Sequence, residues 1–71
     1  MKRYLIVIEE TGTGYSSYSP DLPGCVSTGG NRVVVEANMR EAIQLHLHGL
    51  RDAAYEVPEP RSYATYVEVP A

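Results

Sequence analysis

The chain has 71 residues, a hydrophobic fraction of 44%, a net charge of −3 and one cysteine. That length is expected to hold a single domain over 1–71, and a domain this small buries only about 60% of the surface of its unfolded chain. The lone Cys25 excludes an internal disulfide or a thiolate zinc cluster, no apolar run approaches the ~20 residues of a membrane helix, and no Lys/Arg run suits a phosphate backbone.

In chain order, Arg3 to Glu9 reads as a strand, with Tyr4, Ile6 and Ile8 on one face and Leu5 and Val7 on the other. Gly12 and Gly14 then supply a hairpin turn, followed by a second strand over Tyr15 to Ser19. A third short strand is expected from Cys25 to Thr28, ending at Gly29-Gly30. From Arg32 to Ala54 the period changes: Val35, Met39, Ala42, Ile43, His46, Leu47, Leu50, Ala53 and Ala54 share one helical face. Asn31 is the candidate N-cap, but Val33-Val34-Val35 is a poor first turn, which leaves the helix start between Arg32 and Glu36. Pro58 and Pro60 force extended backbone, and Tyr63, Thr65, Val67 and Val69 then alternate against Ala64, Tyr66 and Glu68 as a last strand. The fold class is therefore α+β, in the order β-β-β-α-β, with an antiparallel sheet covered on one face by one long helix. The other sheet face is left open, carrying either Tyr4, Ile6 and Ile8 or Leu5 and Val7, and this predicts a homo-oligomer.

The most distinctive segment is Pro20-Asp21-Leu22-Pro23-Gly24-Cys25. Pro23 and Gly24 suit the second and third positions of a type II turn, Pro20 stiffens the approach, and the Asp21 carboxylate can bond nearby backbone N–H groups. A rigid turn of this kind can also present Asp21 and Leu22 to a partner, with Tyr15 and Tyr18 on the strand leading to it. Tyrosines at strand positions 15, 18, 63 and 66 are otherwise read as half-buried packing.

Catalytic and cofactor constellations are weak. His46 and His48 lie two apart on the helix and point in nearly opposite directions, so they cannot share a metal ion. Gly12-Thr13-Gly14 lacks the third glycine and following helix of a dinucleotide fingerprint. Cys25 is a small apolar strand residue without a sequence-based base beside it. A metal-dependent nuclease needs converging carboxylates; Glu9 and Asp21 could approach one another, but no acid lies inside the first strand. No catalytic residue, metal or cofactor is assigned.

Taken together, Gly14-Tyr15, Ser19-Pro20-Asp21-Leu22-Pro23-Gly24-Cys25, Thr28-Gly29, Glu36-Ala37-Asn38, Arg40-Glu41-Ala42-Ile43, Leu50 and Val57-Pro58-Glu59-Pro60 resemble the HicB-like antitoxin family. The resemblance runs through nearly the whole chain. It departs at Asn31 to Val35, where relatives have a Ser/Thr cap and acidic residues, and at Ala54-Tyr55, where a Gly helix stop is common. It implies a trimmed RNase H-like fold without a nuclease site and a non-enzymatic, cytoplasmic protein that occludes a small basic mRNA-cleaving toxin of the HicA type. The C-terminal DNA-binding domain of many relatives has no counterpart up to Ala71, so no direct DNA binding is expected. The alternatives are a stand-alone homo-oligomeric scaffold without a toxin partner and a metal-dependent RNase H-like nuclease.

Overall fold

The computed structural model describes residues 1–71 and contains three strands followed by one helix. β1 (Val7–Glu10), β2 (Tyr15–Tyr18) and β3 (Val26–Gly29) form an antiparallel meander in the order β1-β2-β3. The registers pair Val7 with Tyr18 and Glu10 with Tyr15, then Tyr15 with Gly29 and Tyr18 with Val26. The β1–β2 reversal is closed by the Thr11 N–H donating to the Gly14 carbonyl at 2.9 Å. Gly14 has to be glycine here, because a Cβ would stand 2.6 Å from the Gly29 carbonyl oxygen.

α1 (Arg32–Asp52) runs for 21 residues across one face of the sheet and packs most closely on β3. Its start is fixed by Asn31, whose backbone is extended and whose side-chain oxygen accepts the Val34 N–H at 2.9 Å. One good cap thus offsets the β-branched first turn. The helix ends at Asp52, two residues before the expected Ala54, because Ala54 adopts φ 60°. The Tyr55 N–H then reaches back to the Leu50 carbonyl and the Ala54 N–H to the Arg51 carbonyl, which is the bonding of a Schellman stop. Ala54 takes the left-handed position that glycine usually fills.

Cross-strand partners share a face, so the register divides the sheet cleanly. Ser17 and Ser19 turn toward α1 and are buried with Cys25, Val35 and Met39, while Val7, Tyr18 and Val26 form a row on the opposite, uncovered face. The open face is therefore the Leu5 and Val7 side of β1, with Tyr4 and Ile6 packed against the core. Helix and sheet approach closely at Gly29, where a Cβ would lie 2.6 Å from the Val35 nitrogen. Only six residues are buried, with Leu22, Cys25 and Met39 as the central cluster. So thin a core gives little stability to spare.

The expected closing strand needs correction. Residues after Pro60 are extended in sequence pattern, but they pair with no strand of the sheet and are almost wholly exposed. Tyr63 and Tyr66, expected to be half-buried, are exposed by 88% and 102%. The tail projects from the domain, giving extents of 48 × 27 × 19 Å and a radius of gyration of 13.9 Å. A compact chain of this length would have about 11 Å.

Candidate functional site

The loop between β2 and β3 is built from two successive β-turns, each with proline in its second position. In the first, Ser19-Pro20-Asp21-Leu22, the Leu22 N–H donates to the Ser19 carbonyl at 3.1 Å. In the second, Leu22-Pro23-Gly24-Cys25, the Cys25 N–H donates to the Leu22 carbonyl at 3.0 Å and Gly24 has φ 83°, which makes it a type II turn. The Ser19 hydroxyl ties the loop to β1 by donating to the Leu5 carbonyl at 2.9 Å.

This double turn buries one of its central side chains and ties the other to the segment that follows the helix. Leu22 is fully buried in the core, so it is not available to a partner as a rigid-turn contact: the turn points it inward, against Cys25 and Met39. Asp21 is also occupied. Its Oδ2 accepts the N–H groups of Arg61 and Ser62 at 3.0 and 2.9 Å, and its Oδ1 accepts the Ser62 hydroxyl at 3.0 Å. The hydrogen bond from the Ser62 backbone, opposed by desolvation and supported by Arg61, holds the Asp21 carboxyl below the ordinary carboxylate value. Asp21 is thus a clamp on the segment leaving the helix. That segment is further held by the Tyr4 hydroxyl donating to the Pro58 carbonyl and by a 2.6 Å ion pair of Lys2 with Glu59.

The two tyrosines separate. Tyr18 lies on the open face, 43% exposed, between Val7 and Val26. Tyr15, three residues earlier in the strand, faces the helix side at the other end of the sheet and is half-buried. Sequence reasoning had put both beside Asp21 and Leu22 as one contact set; the structure leaves Tyr18 alone as an accessible member on that face. It also adds Val26, 65% exposed, and Val7. The signal for Val26 was available only through the register, since a single valine in a short strand shows no face. Beyond the apolar row the open face turns polar, with Glu9, Ser16 and Thr28 aligned across the strands.

Other candidate chemistry does not converge. Glu9 and Asp21 stand at opposite ends of the sheet, because Glu9 pairs with Ser16 and Asp21 lies beyond the far end of β2. No three His, Cys, Asp or Glu side chains come together as a metal site. Cys25 is buried and desolvation pushes its thiol up from the ordinary value, which keeps it protonated and unreactive near neutral pH. His48 pairs with Asp52 at 3.3 Å on the exposed side of α1, and His46 is partly buried. No helix is long and apolar enough to cross a membrane.

A groove of about 810 Å³ lies between α1 and the residues that lead into β1. Tyr4, Ile6, Ile43 and Leu47 form its apolar floor, and Arg3, Arg40 and Arg51 stand at its rim with Glu36 as the sole acid.

Comparison with known proteins agrees with this architecture. A chain of a solved HicA3 and HicB3 toxin-antitoxin complex superposes with a TM-score of 0.73 and 30% identity, covering 83% of this chain and 70% of that one. An uncharacterized 14.9 kDa protein in the rep-hol intergenic region of Haemophilus phage HP1 (strain HP1c1) is 34% identical over 67 residues. The match takes in 94% of this chain and spans half the length of the phage protein. The model of the HicB_like antitoxin of bacterial toxin-antitoxin systems matches residues 4–71. With three antiparallel strands, one long helix and that match through nearly its whole length, the chain belongs to the HicB-like antitoxin family.

Proposed function

We propose that this protein is a non-enzymatic cytoplasmic antitoxin that binds a small basic RNase of the HicA type and covers its catalytic surface. The observation that carries the reading is the likeness, at 30% identity, to a chain of the HicA3 and HicB3 complex. The chain's charge of −3 favours a basic partner. The contact surface is the open face of the sheet, centred on Tyr18 between Val7 and Val26 and bordered by Glu9. A half-exposed tyrosine amid valines offers an amphipathic ring with few rotors to freeze, the kind of side chain that dominates interface energies. Asp21 and Leu22 act indirectly, by holding the turn behind Tyr18.

The test is co-expression with a small basic RNase of the HicA type from the same genome, followed by affinity purification of the tagged toxin. Wild type is expected to co-purify at a fixed stoichiometry. Tyr18→Asp, which places a charge within the apolar row without touching the buried core, is expected to weaken the complex by at least tenfold. If Tyr18→Asp co-purifies as well as wild type, the open face is not the contact surface. Failure of wild type to bind refutes the antitoxin reading itself.

A further inference from the structure

β3 ends the sheet on one side, and the register tells which of its backbone groups face outward. The Thr11 N–H bonded to the Gly14 carbonyl closes the first hairpin, and bonded pairs alternate along an antiparallel ladder, so Glu9 with Ser16 and Val7 with Tyr18 exchange bonds across β1 and β2. Tyr15 and Ser17 then turn their N–H and C=O groups to β3, where they meet Gly29 and Ser27. Val26 and Thr28 are left with both groups pointing away from the sheet. An added strand would pair there. Both residues are β-branched and exposed, Val26 by 65%, so this short edge has the composition of an adhesive one.

One of these outward groups is taken. Asn38, an exposed residue of α1, donates its side-chain amide to the Thr28 carbonyl at 2.9 Å. Its short side chain reaches because α1 comes so close to β3 at Gly29, where a Cβ would strike the Val35 backbone, and Asn38 follows Val35 by one turn on the same side of the helix. Asparagine is otherwise a poor choice inside a helix, since its side chain competes for backbone hydrogen bonds. We infer that Asn38 is an edge guard: by occupying the Thr28 carbonyl and the space beside it, its side chain keeps the β3 strand of a second copy from pairing antiparallel with this one. So short a strand offers an added strand only two bonded pairs, at Val26 and at Thr28. The guard removes one of them, and a single pair does not hold two strands together. Charge and proline, the usual protections of an edge, are both absent from Val26–Gly29.

The experiment compares full-length wild type with Asn38→Ala by light scattering and amide hydrogen exchange at equal concentration. Alanine is the better helix former, so the variant is expected to keep the helical circular dichroism signal. Its mass is expected to reach at least about twice that of wild type, since two β3 edges pair isologously and join two units. The Val26 and Thr28 amides, which the register leaves unbonded, are expected to exchange at least about tenfold more slowly in Asn38→Ala, as they gain partners in the second copy. An Asn38 that served only to hold helix to sheet would, when removed, speed exchange nearby and not slow it at these two positions. Val26→Lys added to Asn38→Ala places a charge on the edge and is expected to restore the wild-type mass. Equal masses for wild type and Asn38→Ala, a larger mass without slowed exchange at Val26 and Thr28, loss of the helical signal, or failure of Val26→Lys to restore the wild-type mass would each overturn the inference.

Discussion

At the scale of single residues, stability is concentrated in very few side chains. Leu22 is fully buried at the centre of a cluster with Cys25 and Met39, so Leu22→Ala is expected to cost about 2–5 kcal/mol. A chain of this length is held by only about 4–10 kcal/mol in total, so the variant loses a large share of its stability and urea denaturation should show a markedly lowered midpoint. Ala54 offers the opposite case. Its φ of 60° is costly for any residue with a Cβ, and Ala54→Gly is expected to raise unfolding stability by about 1 kcal/mol in the same assay. Asp21 gives a pH dependence. Its folded value lies below that of a free aspartate, so its contribution is present above the unfolded value and is lost as pH falls through the folded one. Amide exchange at Arg61 and Ser62 should accelerate in that acid window, and Asp21→Asn should accelerate it at neutral pH.

At the scale of elements, local signals and non-local ones part company. The helix was legible because a 3.6-residue period over more than 20 positions has no other reading, and Val35, Met39, Ala42, Ile43 and Leu47 do face the core. Its end was misplaced by two residues because alanine gives no sign of a left-handed stop. The tail shows the limit of alternation: Tyr63 to Val69 has strand propensity, but a strand needs a partner, and the clamp that leads the tail away from its own sheet joins residues 40 positions apart. Asp21 and Leu22 were read as presented outward for the same reason. A proline-rich turn announces its backbone, not which side of it meets the core. The contact between sheet and helix at Gly29 is a further element-scale device. Gly29→Ala would drive a Cβ into the Val35 backbone, and the expected loss of about 1–3 kcal/mol can be read from thermal unfolding.

At the scale of the whole molecule, a core of few residues stands beside an apolar row on an open face and an unpaired tail. Silencing of a basic RNase by covering it is the role proposed for this protein. The most direct measurement is a titration of a HicA-type RNase from the same genome with this chain while RNA cleavage is followed at constant toxin concentration. The account predicts cleavage falling linearly to zero at a fixed molar ratio, with no cleavage by this chain alone. Undiminished cleavage at a large molar excess of folded chain would contradict it.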